Sequence, residues 1–364
     1  MQRYPILEIN LTGITSNARH LVKLASDVGI RIAGVVKGAD SMPEVAESLL
    51  AGGIDQIADS RIEKLVQFKK SHPDVSTMLL RIPAKSEIED VVHYADYSLN
   101  SEIQTLRWLD EAAGKANIRH GVVLMQDLGD LREGFWGRDQ TVEAALLVER
   151  ELKNLELAGV GVNLGCYGSI RPTVTNLSEL VDTAKAIGAG IGRTLEIVSG
   201  GSTTTLPLLF DHQVPSGINH LRIGEGIILA RDMKLHRGYP TPELTAENFV
   251  LLAEIIEIKT KPSYPIGEIF MDSFGKSPTY EDHGDRKRAL LAVGRKDYGD
   301  FLPNLLPTID GLEVIGGSSD HLIVDITDVT EELAVGDVLR FNMQYGSMMF
   351  LSSSTSVTKK FKRE

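Results

Sequence analysis

The stretch Ile32-Ala33-Gly34-Val35-Val36-Lys37-Gly38-Ala39-Asp40 is an apolar run of strand length that stops at a lysine and gives way to glycine. The same texture recurs along the first two-thirds of the chain. Arg31–Lys37, Asp55–Ser60, Thr77–Ile82, Tyr94–Asn100, Gly121–Asp127, Leu157–Asn163, Glu196–Gly200 and His220–Gly224 all read as short apolar or β-branched strands. Between them, Pro43–Ala51, Ser60–Lys70, Glu102–Ala116, Thr141–Lys153 and Asn176–Gly188 repeat their apolar residues every three to four positions, as helices do. Eight strands alternating with helices predict an α/β fold, a (β/α)8 TIM barrel. A doubly wound open sheet is the rival, but its G-x-G-x-x-G fingerprint is missing after the early strands.

After about Lys234 the texture changes. His236-Arg237-Gly238-Tyr239-Pro240-Thr241-Pro242 reads as a linker. Beyond it Phe249–Lys261, Ala289–Val293, Leu312–Ile315, Leu322–Ile326 and Val338–Asn342 are strand-like, with turn residues between them and no long helical pattern. The expected organisation is therefore a barrel over 1–235 and a smaller, mostly β C-terminal domain over 236–364.

Composition narrows the function classes. The chain has 364 residues, 42% hydrophobic and 24% charged, enough to bury a core without staples. Its 38 basic and 50 acidic residues give a net charge of −12, which argues against a nucleic-acid partner. The basic cluster Lys359, Lys360, Lys362 and Arg363 reads as a solvated tail. A single cysteine, Cys166, cannot form an internal disulfide and fits a reducing compartment. Met1–Pro5 lacks the apolar core of a signal peptide, and no apolar run approaches eighteen residues. A cytoplasmic protein with no membrane partner and no metal site is expected.

In such a barrel, function gathers at the carboxyl ends of the strands. Lys37 closes the first strand, where partial dehydration would lower its pKa and suit it to attack a carbonyl. The plainer reading is a lysine that snorkels to the rim. The strand-seven loop, Ser199-Gly200-Gly201-Ser202-Thr203-Thr204-Thr205, can bring hydroxyls and backbone N–H groups to a phosphate. Strand eight ends in Leu221-Arg222-Ile223-Gly224-Glu225-Gly226, again glycine-rich. Loops after strands seven and eight form the usual phosphate site of this barrel, so the three features together describe a site for a phosphorylated aldehyde cofactor.

Val35-Val36-Lys37, Ser202 and Leu221-Arg222-Ile223-Gly224 resemble the fold-type III pyridoxal-phosphate enzymes, the alanine racemase superfamily. Asp127-Leu128-Gly129-Asp130-Leu131-Arg132-Glu133-Gly134, Ala58-Asp59-Ser60-Arg61-Ile62-Glu63 and Gly317-Ser318-Ser319-Asp320-His321 are similar to the alanine/ornithine racemase family, ornithine racemase branch. The resemblance implies pyridoxal 5'-phosphate as cofactor, held covalently by Lys37, which would also be one of two acid/base groups at the substrate Cα. Ser202 and Thr203, with the backbone at Gly224 and Glu225, would hold the phosphate, and Tyr345 resembles a second-domain tyrosine that reaches it. Arg222 would face the pyridine nitrogen. A guanidinium keeps that nitrogen unprotonated, which favours reprotonation at Cα over transamination. Arg132 would lie near cofactor and substrate carboxylate, and Asn163 stands where the racemases have a cofactor-contacting histidine. A small-molecule amino-acid substrate and a head-to-tail homodimer, the second domain of one subunit completing the other's site, are further implications.

The departures from alanine racemase are informative. Ser41 stands where a tyrosine follows the lysine, Met125 where a carbamylated lysine lies, and Arg295 at the place of the second-base tyrosine. With a pKa above about 12, arginine is a poor base. His321, Tyr298 and Asp320 are the candidates for the second base, His321 first because its pKa suits transfer near neutrality. Asp320, following Ser319, stands where decarboxylases acting on ornithine have an acidic residue near the distal ammonium, so the resemblance implies that it receives the distal ammonium of a basic substrate. The leading expectation is a racemase acting on ornithine or a related basic amino acid. The alternatives are alanine racemase, a decarboxylase, which Arg222 disfavours, and a non-catalytic cofactor-binding homeostasis protein, which the second domain disfavours.

Overall fold

The computed structural model describes residues 3–272, 275, 277–300 and 302–363. Eight parallel strands close on themselves: Arg31–Val35, Gln56–Asp59, Ser76–Leu79, Tyr97–Asn100, His120–Asp127, Leu155–Gly161, Ile197–Ser199 and His220–Ile223. The last pairs with the first through Arg222 beside Ala33, and the fourth pairs with the fifth, so no edge is left. All eight expected strands are present: six are shortened by one to three residues, the fifth starts one residue earlier, and the sixth keeps its length but lies two residues nearer the N-terminus. Alternate strand residues point inward. Ala33, Val35, Ala58, Met78, Leu99, Val123, Met125, Ala158 and Ile197 come from every strand but the last and from no helix, and they fill the lumen. The opposite faces pack on helices such as Ile103–Ala116, Gly137–Glu151 and Val174–Ile191 through Leu106, Leu109, Ala145, Val148, Leu180 and Ile187. Gly159 is required where strands six and seven meet, because a Cβ there would lie 2.0 Å from the Ile197 carbonyl oxygen.

The chain divides into two compact units, Leu11–Ala246 and Met1–Asn10 with Glu247–Glu364. That differs from the expected 1–235 and 236–364 at both ends. Residues up to 246 stay with the barrel because Asn17, on helix Leu11–Ser26, exchanges two hydrogen bonds with the Thr245 backbone at 2.8 Å each and donates to Ile227 O at 2.9 Å. At the start, strand Ile6–Asn10 pairs antiparallel with Phe249–Pro262 and parallel with Thr358–Lys362, so it is a β-unit strand.

That unit is mostly antiparallel sheet. Phe249–Pro262 pairs with both Val338–Met343 and Asp285–Leu291, and Leu322–Asp325 joins the latter to Glu313–Gly317. Elements not expected from the sequence include strand Ile6–Asn10, strand Leu305–Pro307, helix Tyr345–Ser353 and strand Thr358–Lys362. The last corrects the reading of the basic C-terminus as a solvated tail. Lys360 and Lys362 flank the buried Glu8 carboxylate, at 3.2 and 2.9 Å, and Arg340 adds a third cation at 3.3 Å. Burial alone would raise the Glu8 pKa. The two lysines and Arg340 outweigh it and hold the carboxyl below its ordinary value. Among the described residues no helix is long and apolar enough to cross a membrane.

Candidate active site

The first barrel strand ends at Val35, and Val36 N still bonds to Ala58 O at 3.1 Å. Lys37–Ala39 then makes a single 3₁₀ turn. Asp40 and Ser41 follow with φ of 49° and 54°, left-handed geometry that is strained for side-chain-bearing residues. The bend is clamped from outside. Lys64 Nζ pairs with Asp40 Oδ1 at 2.8 Å, and the Ser41 hydroxyl donates to Asp59 at the end of strand two. Its consequence is that Lys37 projects from the carboxyl face of the barrel. Solvent reaches the side chain, yet protein surrounds it closely enough that desolvation lowers its pKa from the ordinary lysine value. Arg132 reinforces the shift, while Cys166, Asp59 and Glu133 oppose it. Loops after strands two, five and six therefore converge on this amine.

Asp59 is 1% exposed, and desolvation raises its pKa against the hydrogen bonds from Ser41 and Arg61 N. Asp130 organises the strand-five and strand-six loops. Its buried carboxylate accepts from the backbone N–H of Gly165, Cys166, Tyr167 and Ile170 at 2.9, 3.3, 3.0 and 3.2 Å. Burial pulls its pKa up, but those four donors hold the carboxyl below its ordinary value. Arg132 and Glu133, from the same segment, form a fork-to-fork ion pair, with Nη2 to Oε1 at 2.6 Å.

At the ends of strands seven and eight the backbone is tight and hydroxyl-rich. Gly201 takes φ 108°, and a Cβ at Gly224 would come within 3.0 Å of Val35 O. Ser202 Oγ lies 3.3 Å from Thr204 Oγ1, and Thr203 Oγ1 accepts from Gly226 N at 3.1 Å. The Glu225 carboxylate faces the chain, accepting from Arg231 N and Asp232 N at 2.9 and 3.0 Å. Arg222, 4% exposed, donates to Ser199 Oγ and, at 2.8 Å, to Val162 O. Desolvation pushes its pKa down to about 10, so it stays charged at neutrality. Asn163, 7% exposed, has its Nδ2 unbonded, while Cys166 Sγ lies 3.5 Å from its Oδ1.

These residues fit pyridoxal phosphate. An amine with weakened hold on its proton suits a carbonyl, glycines and three adjacent hydroxyl residues suit a phosphate, and Arg222 is a permanent donor for a ring nitrogen. The orphaned amide of Asn163 supplies a further donor. Among the described residues, no group of three or more His, Cys, Asp or Glu could hold a metal ion.

The remaining expected residues lie in the β unit. Ser318–His321 is a tight turn between two strands, closed by Ser318 N to His321 O at 2.8 Å, and it exposes Ser319, Asp320 and His321. Asp320 pairs with Lys296, which lowers its pKa. Tyr298 sits differently from what a proton donor needs. It is 1% exposed, its hydroxyl lies against Gly317, and desolvation pushes its pKa up to about 12. Tyr345 is half-buried at the start of its helix. Met125 lies fully buried in the barrel lumen. Asp59, Asp130 and Glu133 lie in motifs where sequence alone assigns them no role. A carboxylate ending an apolar strand, as Asp59 does, is the signal that marks one of them.

Comparison with known proteins follows the same lines. The family described as "Alanine racemase, N-terminal domain" matches residues 9–232. Ornithine racemase of Acetoanaerobium sticklandii is 41% identical over 348 residues, 95% of this chain and 96% of that protein. Lysine racemase of Thermotoga maritima is 39% identical over 357 residues, 98% of each. Among solved structures, alanine racemase from Streptomyces lavendulae aligns over 100% of this chain and 98% of its own, with a TM-score of 0.77 at 17% identity. Alanine racemase from Bartonella henselae with covalently bound pyridoxal phosphate aligns over 99% and 100%, at 0.75 and 18%. At such identities the structural likeness speaks for the fold.

Proposed function

The chain belongs to the alanine racemase family of pyridoxal-phosphate-dependent amino-acid racemases, and from that premise we propose that it interconverts the L and D forms of ornithine or a related basic amino acid. Two relatives matched over nearly their whole length are named for ornithine and lysine, which supports a basic substrate. The observation that carries the chemistry is Arg222: a buried, charged donor on the same barrel end as an amine of lowered pKa.

When bound, pyridoxal phosphate supplies an electrophilic carbon and an electron-withdrawing ring that acidifies the substrate's Cα–H. Lys37 Nζ would hold it, and the same amine would take the substrate Cα proton on one face or return it. Its lowered pKa shortens the energetic distance between the two protonation states. Ser202 and Thr203 hydroxyls and the backbone at Gly224 and Glu225 would hold the phosphate. Arg222 would donate to the ring nitrogen and keep a proton off it. Asn163 Nδ2 is free to donate toward the ring, and Arg132 exchanges part of its pairing with Glu133 for the substrate carboxylate.

On the opposite face we assign the second proton transfer to His321, whose imidazole is exposed on its turn. The buried hydroxyl of Tyr298 is the weaker candidate. Ser319 and Asp320 would receive the distal ammonium, which would compete with Lys296 for the Asp320 carboxylate. In this reading the β unit serves the barrel of a partner subunit in a head-to-tail, cytoplasmic homodimer, and Tyr345 reaches the phosphate from there.

The test is exchange in heavy water. The cofactor-loaded protein is incubated with L-ornithine, L-lysine, L-arginine and L-alanine while each Cα proton is followed by NMR. Loss of the ornithine or lysine signal with appearance of the D-enantiomer is expected. Absence of exchange with all four would overturn the reading.

A further inference from the structure

Behind Arg222, four polar side chains follow one another through the barrel. Arg222 Nη1 donates to Ser199 Oγ, which lies 2.8 Å from His220 Nδ1. His220 Nε2 lies 3.0 Å from Gln56 Oε1, and Gln56 Nε2 donates to Ser76 Oγ at 2.9 Å. Arg222, Ser199, His220 and Gln56 are all fully or almost fully buried. None of the last three has a part in the chemistry above.

The direction of the bonds in this chain follows from two facts: a guanidinium donates and never accepts, and among the described residues the Ser199 hydroxyl meets no acceptor other than His220 Nδ1. Ser199 Oγ therefore accepts from Arg222 and turns its own hydrogen to His220 Nδ1. With Nδ1 accepting, the proton of a neutral imidazole sits on Nε2 and goes to Gln56 Oε1. The amide nitrogen then donates to Ser76. Protonating His220 would break the pattern. A hydrogen on Nδ1 would point at Ser199 Oγ, strip that hydroxyl of its acceptor and place a second cation one hydroxyl from the guanidinium. The charged groups facing His220 are Arg222 on its own strand and Arg31 on strand one, both positive. Burial first, then these two, push its pKa down to about 3.

We propose that Ser199, His220 and Gln56 are positioning residues, a one-way hydrogen-bond chain that fixes the orientation of Arg222 and leaves it the one charged member of the chain across the working pH range. The role of Arg222 toward the ring nitrogen rests on the racemase reading; the direction of the chain does not. A group that must stay charged and still is thereby insulated from proton movement behind it.

The test uses the full-length, cofactor-loaded protein labelled with 15N-histidine. Long-range 1H–15N spectra between pH 5 and 9 are expected to show one imidazole, missing in His220→Gln, locked as the neutral Nε2–H tautomer throughout. Should His220→Gln not fold, the same signal is identified by its shift in Ser199→Ala, where Nδ1 loses its donor. Ser199→Thr keeps the hydroxyl and is expected to keep the tautomer. In the racemisation assay Ser199→Ala lowers kcat about tenfold with little change in KM, and Ser199→Thr restores it. An Nδ1–H tautomer, titration of this histidine between pH 5 and 8, or a Ser199→Ala protein unchanged in both spectrum and kcat would each overturn the proposal. A protein inactive with every amino acid still gives the spectra, so failure of the racemase reading is read separately.

Discussion

Arg222 in the barrel and Glu8 in the β unit are both buried charges, and they are held in opposite ways. Arg222 is answered by neutral acceptors, Ser199 Oγ and Val162 O. Glu8 is answered by three cations, Arg340, Lys360 and Lys362. A charge solvated by fixed dipoles keeps its field for whatever binds beside it, as a preorganised site requires. A charge ringed by counterions has spent its field on the fold. The first arrangement costs desolvation and suits function; the second ties strands Ile6–Asn10, Thr358–Lys362 and Val338–Met343 together.

The largest effect expected of that contrast is at Lys37, a second barrel cation at the same end. Lys37→Ala should lower Cα exchange by about 10⁴-fold while leaving the urea unfolding midpoint unchanged or higher, since a desolvated ammonium is removed. A loss of stability instead would class Lys37 with the structural charges. Next comes pH. His120 and His220 are buried and neutral, their pKa values pushed by burial down to about 4 and about 3 from 6.5. Below pH 6.5 the unfolded chain binds protons that the folded barrel refuses, so stability falls as pH falls. Each histidine should cost about 1.4 kcal/mol per pH unit between 6.5 and 5. Glu8 behaves otherwise: its folded pKa lies below 4.5, so its contribution is intact above that and disappears as pH drops through the folded value. Hydrogen exchange resolved by segment should show the barrel loosening before the β unit on acidification; the reverse order would contradict the contrast.

Asp130→Asn should cost about 2–3 kcal/mol by urea denaturation, because four backbone donors lose a charged acceptor. Its protection loss should be concentrated at residues 165–170. Glu8→Gln should be smallest, about 1 kcal/mol, since its cations are half-exposed and partly solvated already. A loss several-fold larger would mean that the β unit depends on this charge more than its exposure implies.

The barrel was legible because its strands, covered on both faces, spell near-continuous apolar runs. Lys37 was legible for the same reason, as a charge ending such a run, whereas Arg222 lies within its strand and took its role from the family resemblance. His220 and Gln56 carried a different signal, each a polar residue opening an apolar strand. The role of Thr358–Lys362 was not legible locally, because the carboxylate that explains its lysines lies some 350 residues away at Glu8. Tyr298 shows the converse limit. A tyrosine near a motif reads as reactive, and only packing against Gly317 reveals a core residue.

The β unit joins segments far apart in the sequence, strand Ile6–Asn10 against strands Phe249–Pro262 and Thr358–Lys362. During synthesis the first strand must therefore wait for its neighbours. The barrel, Leu11–Ala246, is contiguous and can fold while the remainder is being made, a delay on the order of ten seconds at ordinary elongation rates. Until strand Thr358–Lys362 is made, one edge of strand Ile6–Asn10 stays unpaired. A chain lacking Thr358–Lys362 would keep that edge open, a template for pairing with another chain.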